Sequence, residues 1–387
     1  MPLSIVFDRK KKTIISQDQS TSDALASGHF GISSKRIISL RPEEALYLLD
    51  SRNAICTDTN GYNVDFDDLA VAFDRGNLIS KYFTYKSWRD RGLIARYPED
   101  KMKKPIKPKH QKLYSASKYK SKMPSIAGTF FNGSMTSIVA DQSNGKKIYE
   151  NNWMGQYGTY KTQNHGKMNK LDIYETTYLI DKKILTISNA TRNEIISCAK
   201  TRRQDFPKLY DVYRDWRSKG YVVKTGFKFG THFRVYFPGA KPMQEGGTWV
   251  HSKHVIHVFP RDVKLITSEW ARAIRVAHSV KKTFILAIPG KSRTKQVGID
   301  FVLYHREKGE TESPATSAPR YAMLSIGEDE YLGGAELSAV ISKVKQMGLE
   351  LVMAISDRET AVTYYKVRRI KLEGSPYEYY EIDWMQP

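Results

Sequence analysis

Cysteine is scarce. The 387-residue chain carries two, Cys56 and Cys198, too few for a disulfide framework or a cysteine-rich zinc site, and this usage fits a reducing cytoplasm. Long apolar runs are missing too. The opening MPLSIVFDRKKK lacks the apolar core and small-residue cleavage site of a secretory leader. Nothing approaches the roughly 18 apolar residues of a membrane span, so a cytoplasmic protein with no membrane attachment is expected. Acidic residues are in deficit, 41 against 62 basic ones, and no carboxylate cluster of suitable spacing accompanies the histidines, which argues against a metal-dependent nuclease. Cofactor signatures are lacking as well. PGKSRT at 289–294 echoes the end of a phosphate-cradling loop, but position 285, where that loop needs glycine, is isoleucine.

What is present is cationic and aromatic. A net charge of +21 points to a polyanionic partner, with nucleic acid the first candidate. The 24 tyrosines supply rings on which bases can stack.

The chain repeats itself. SIVFD at 4–8 matches SIVAD at 137–141, EALYLLD from Glu44 matches ETTYLID from Glu175, and the segment around Trp88 and Gly92 matches that around Trp216 and Gly220, at offsets of 133, 131 and 128 residues. A second duplication relates 269–290 to 336–357 at a constant offset of 67, placing Lys282 on Leu349. Two joints interrupt the repeats. Residues 101–124, with nine lysines and no acid, read as an extended linker, and EKGETESPATSAP at 307–319 reads as a flexible connector. The expected organisation is an N-terminal non-catalytic unit at 1–100, the basic linker, and a central catalytic unit at 125–306. The central unit divides into 125–205 and 206–306. The 307–319 connector and a C-terminal half-unit at 320–387 follow.

The polar residues that suit chemistry lie in 226–288. Tyr236 ends an aromatic strand-like run, His251 opens VHSKHVIHVF, and Lys282 follows an amphipathic helix with Arg272, Arg275 and His278. A phenol, an imidazole and an ammonium can divide the work of metal-free phosphodiester cleavage: a ribose 2′-hydroxyl loses a proton, a 5′-oxygen gains one, and the phosphorane is held by a fixed cation. A phenol is a poor base unless cationic neighbours favour its phenolate, and lysines and arginines are abundant here; whether Tyr236 acts as phenolate or orients the hydroxyl is not written in the sequence. The β-branched residues among the histidines favour a strand, with His251 and His257 on one face and His254 on the other, so no metal site is expected. All three polar residues are expected in the central copy only.

GFKFGTHFRVY, the HSKHVIHV segment and RVAHSVKK followed by FILAI closely resemble the signature of the archaeal tRNA-splicing endonucleases. The resemblance implies a mixed α/β fold of repeated units, each with an α/β N-terminal domain, an α/β nuclease-like C-terminal domain, or both. It also implies the three-unit type that forms a homodimer. It implies cleavage of precursor tRNA in a bulge-helix-bulge, without a cofactor, leaving 2′,3′-cyclic phosphate and 5′-hydroxyl ends. Tyr236 then corresponds to the general base, His251 to the general acid, Lys282 to the transition-state cation, and Arg275 to an arginine that clamps a flipped base. The family docks its units through an acidic loop, here Asp357 and Glu359. Counted from Tyr157-Gly158, the central unit has about four more residues before Glu175 than the N-terminal unit has between Gly31 and Glu44. Lys161 and Lys167 in that polar, basic stretch are candidates for RNA backbone contacts. A non-catalytic RNA-binding subunit is the alternative reading.

Overall fold

The computed structural model describes residues 2–74, 76–103, 111–117, 122–243, 248–290, 298–307 and 309–387. The first domain runs β1 (Ser4–Asp8), β2 (Thr13–Ser16), α1 (Gln19–Ser27), β3 (Ile32–Ser34), β4 (Ile37–Leu40), α2 (Pro42–Arg52), β5 (Ile55–Asp58), α3 (Phe66–Phe73), α4 (Leu78–Arg89) and β6 (Ala95–Arg96). A short β7 (Leu113–Tyr114) precedes its counterpart: β8 (Ile126–Phe131), β9 (Thr136–Val139), α5 (Gln142–Asn152), β10 (Thr159–Tyr160), β11 (Gln163–Asn164), β12 (Asn169–Leu171), α6 (Ile173–Asp181), β13 (Leu185–Ile187) and α7 (Arg192–Arg202). Then come α8 (Phe206–Ser218), β14 (Val222–Thr225), β15 (Phe233–Tyr236), β16 (His254–Val258), β17 (Lys264–Ile266), α9 (Thr267–Ser279) and β18 (Thr283–Ile288). The chain ends with β19 (Phe301–Leu303), β20 (Arg306–Glu307), β21 (Glu310–Thr311), β22 (Tyr321–Gly327), β23 (Tyr331–Gly333), α10 (Gly334–Gln346), β24 (Glu350–Ser356), β25 (Val362–Leu372) and β26 (Glu378–Met385).

The two N-terminal domains share one wiring. β1 pairs antiparallel with β2 and parallel with β5, and β8 pairs antiparallel with β9 and parallel with β13. SIVFD therefore answers β8, not SIVAD, whose strand answers β2. Asp18 and Asp141 follow β2 and β9 and cap α1 and α5 by accepting backbone N–H bonds. The duplication extends to buried polar groups. Glu44 accepts from the Gly31 N–H as Glu175 accepts from that of Gly155, the Tyr82 hydroxyl donates to Asp50 as that of Tyr210 donates to Asp181, and Arg89 and Arg217 donate to the Gly28 and Asn152 carbonyls. The glycine precedes the glutamate by 13 positions in the first domain and by 20 in the second, so the insertion is seven residues rather than four. It forms the β10–β11 hairpin.

The second duplication builds one continuous sheet. Its order, β14-β15-β16-β18-β26-β25-β24-β22-β19-β6, reads as a palindrome about the β26–β25 ladder. The same local two-fold relates β17 to β23, where Leu265 pairs with Leu332. Alternating apolar residues on these strands bury both faces. On one face Trp270, Ile274 and Ala277 of α9 share a core with Leu337, Val340 and Val344 of α10. On the other face α4 with Trp88 covers one half of the sheet and α8 with Trp216 covers the other.

Three connections differ from expectation. Phe301–Leu303, inside the 206–306 stretch, pairs with β22 and β6 rather than with central strands, because its three residues are fully buried among theirs. The 307–319 connector begins inside a hairpin, Glu307 ending its first strand and Glu310–Thr311 forming its second, with Arg306 paired with Thr311 and Gly309 between the strands at φ +91°, and Arg320 bridges Glu307 and Glu312. The basic linker is not merely extended chain: Leu113–Tyr114 lies parallel to β25. Tyr114 is buried and donates to Glu381 at 2.7 Å, and Lys112 pairs with the same carboxylate. Its residues 104–110 and 118–121 lie outside the described residues, as does KSRTK at 291–295.

Candidate active site

Three neighbouring strands collect the polar residues. Val235 pairs with His254, and His254 with Thr283. One row beyond, at the same end of the sheet, the register sets Tyr236 at the close of β15, Lys253 just ahead of β16, and Lys282 just ahead of β18. The Lys282 Nζ donates to the Ser252 carbonyl at 2.7 Å and stands 5.0 Å from the Phe229 ring centroid. His251, exposed to solvent, immediately precedes Ser252. Because β16 begins only at His254, the alternation of strand faces does not reach His251, which sits in the loop that Lys282 fastens.

Tyr236 is 2 % exposed, and its ring meets that of Trp153 at 4.5 Å between centroids. The inserted hairpin adds Tyr160, which packs on Trp153 and, edge-on, on Trp249 at 5.0 Å. Trp249 stands two residues before His251, so the insertion braces the histidine loop. Burial pushes the Tyr236 phenol above its ordinary pKa, and Arg234, 5.8 Å from the ring centroid, opposes that only in part. Lost hydration outweighs the nearby cations, so the phenolate is the minor form at pH 7 in the free chain. Burial also lowers the Lys282 pKa, followed by the charges of Arg234, Lys161 and Lys253.

The remaining candidates spread outward. Lys161, at φ +56°, turns the hairpin with its Nζ 5.7 Å from the Tyr160 ring centroid, close enough for its charge to reach Lys282. Lys167 is exposed beyond the hairpin. Arg275 is exposed on α9, beside Tyr365 rather than the strand ends. Asp357 accepts from the N–H groups of Glu359 and Ala361 and so shapes its own turn, leaving Glu359 exposed. His254 lies between Tyr114 and Phe237, and His257 packs on His232 at 4.6 Å. Burial lowers these rings to about 4, about 4 and, for His232, about 2. Among the described residues no three His, Cys, Asp or Glu side chains gather as a metal-ligand set, and no helix is long and apolar enough to cross a membrane.

The family model for the tRNA intron endonuclease catalytic C-terminal domain matches residues 206–297, and that for the N-terminal domain matches residues 9–70. A tRNA-splicing endonuclease of Methanopyrus kandleri is 39 % identical over 147 residues, covering 37 % of this chain and 76 % of the relative. This chain belongs to the tRNA intron endonuclease family. Relatives named tRNA-splicing endonuclease from Thermococcus gammatolerans, 32 % identical over 37 % of this chain and 86 % of their own length, and from Pyrococcus furiosus, 35 % identical over 34 % and 72 %, are similar to it as well. Within this family chain, Tyr236, His251 and Lys282 all fall in the catalytic-domain match, while the N-terminal match falls on the outer domain.

The palindrome exposes a residue that sequence comparison missed. Arg96 and Lys224 occupy equivalent places, each paired with the buried glutamate of its own domain. Opposite them across the strands stand Val302 and Arg234, so the next-but-one residues, Tyr304 and Tyr236, correspond. The tyrosine is thus present in both halves, contrary to the expectation that all three polar residues are confined to one copy. Tyr304 was overlooked because β19 lies before the 320–387 segment taken as the whole second copy.

Proposed function

We propose that the protein cleaves precursor tRNA at intron–exon junctions within a bulge-helix-bulge, by metal-independent transesterification. The ribose 2′-oxygen bonds to phosphorus, the bond from phosphorus to the 5′-oxygen breaks, and the products carry 2′,3′-cyclic phosphate and 5′-hydroxyl ends. Tyr236 lies by the 2′-hydroxyl and as its phenolate takes up that proton as general base, His251 protonates the departing oxygen, and Lys282 balances the charge of the phosphorane. The observation that carries this reading is the fastening of Lys282 to the His251 loop beside Tyr236, within a family catalytic domain.

The two halves of the sheet divide the labour. Residues 1–100 together with 298–387 form a non-catalytic unit, and 122–290 form the catalytic one, so a chain has one reaction centre. Two chains joined as a homodimer supply the two centres that two splice sites require, with Asp357 and Glu359 docking into the partner. Lys161 and Lys167 hold phosphates near the cut, and Arg275 clamps a bulge base by cation–π contact. The compartment is the cytoplasm, in keeping with two unpaired cysteines.

The test is cleavage of an end-labelled bulge-helix-bulge precursor by the wild-type chain, His251→Ala and Lys282→Ala, with sedimentation of each. Intron release by a dimeric wild type and its loss in both variants are expected. Release at the wild-type rate by either variant contradicts the assignment.

A further inference from the structure

Arg234 sits in the same alternation as Tyr236 on β15, directly across from Val255 on one side and Lys224 on the other. It therefore faces the side of the sheet on which Tyr236 and Lys282 stand. Among the described residues no carboxylate lies within ion-pairing distance of its guanidinium. Its Nε is buried and without a hydrogen-bond partner among the described residues, although the guanidinium reaches to 5.8 Å from the Tyr236 ring centroid. An arginine held by its strand, partly withdrawn from water and uncompensated costs stability unless an anion arrives to meet it.

The non-catalytic half supplies an internal control. At the place of Arg234 it has Val302, fully buried in the apolar core, and at the place of Lys282 it has Leu349. The shared offset of 67 puts Ala318 where His251 stands. Tyr304 alone remains. Arginine, histidine and lysine are absent together from the half that lacks the centre, as expected of groups that share one task.

We propose that Arg234 is a fourth member of the reaction centre, its guanidinium donating to a non-bridging oxygen of the scissile phosphate and sharing the phosphorane charge with Lys282. The inference rests on the transesterification reading above and deepens it. No bond to Arg234 forms or breaks. Its fork suits two hydrogen bonds to phosphate where an ammonium offers a point charge.

The experiment compares single-turnover cleavage and precursor affinity for wild type, Arg234→Met, Arg234→Lys and His251→Ala. Each is run with an all-oxygen precursor and with each phosphorothioate diastereomer at the cut. Arg234→Met is expected to cleave about 100-fold more slowly, in the range for loss of one transition-state donor, with affinity changed less than about threefold. Arg234→Lys is expected to recover about tenfold of that. One diastereomer is expected to slow wild type and to add no further slowing in Arg234→Met. If the methionine variant does not fold, the lysine variant decides. A wild-type rate and unchanged sulfur effect in Arg234→Lys overturn the proposal, as does a wild-type rate in a folded Arg234→Met. Activity retained by His251→Ala overturns the transesterification reading itself.

Discussion

Lys282 donates from Nζ to the carbonyl oxygen of Ser252 at 2.7 Å, tying the turn that ends α9 to the loop that bears His251. One side chain thus brings its own charge to the strand end and fixes the neighbour's approach. Lys282→Ala is expected to lower the single-turnover cleavage rate by about 100- to 1,000-fold while changing precursor affinity little. Rapid-quench kinetics beside a binding isotherm separates the two effects, and a loss confined to affinity would contradict the role.

Lys161 stands at the tip of the inserted hairpin, steadied over Tyr160. If it meets a phosphate near the cut, Lys161→Ala reduces the slope of log affinity against log salt by about one. Titrations at several salt concentrations check this, and an unchanged slope removes the contact.

The Lys224–Glu175 pair, at 2.6 Å and about as buried as any in the fold, joins β14 to α6. Glu175 also accepts from the Gly155 N–H. Breaking it by Lys224→Met strands a buried carboxylate and is expected to cost about 3–5 kcal/mol. Urea unfolding measures the loss. A smaller effect for Lys224→Met paired with Glu175→Gln is expected, since both charges are then gone.

His232, His254 and His257 are held neutral by burial, well below their ordinary pKa. The unfolded chain takes up protons on these rings below about pH 6.5, while the folded chain refuses them down to about 4 for His254 and His257. Their contribution is therefore intact above pH 6.5 and is lost as the pH falls, on the order of 1–2 kcal/mol per ring between pH 7 and pH 5. Urea midpoints across that interval are expected to drop steeply. Flat midpoints would show that the rings already carry charge in the fold.

Much of this architecture is legible in the residues. The paired Trp88 and Trp216 segments and the constant offset between α9 and α10 announce both duplications, since buried helices keep their apolar spacing. Strand register is harder to read. SIVFD and SIVAD look alike because both strands of such a hairpin carry the same alternation, and only the pairing tells that one is the first strand of its hairpin and the other the second strand of its own. Tyr304 escaped notice because pairing with β6 and β22 gathers residues from both ends of the chain into one half-sheet. Tyr114 hid in a lysine-rich stretch whose composition gives no sign of its bond to Glu381. Arg234 was visible two residues from Tyr236, yet that its Nε is buried without a hydrogen-bond partner among the described residues is a fact of three dimensions.

The central claim is that Tyr236, His251 and Lys282 break RNA with its own ribose as nucleophile, and the chemistry of the new ends tests it most directly. A bulge-helix-bulge precursor incubated with the protein in EDTA should yield fragments whose 3′ ends resist phosphatase until acid opens a cyclic phosphate, and whose 5′ ends accept phosphate from a kinase without prior treatment. Fragments bearing 5′-phosphate and 3′-hydroxyl, or a precursor that is only bound and never cut, would contradict it.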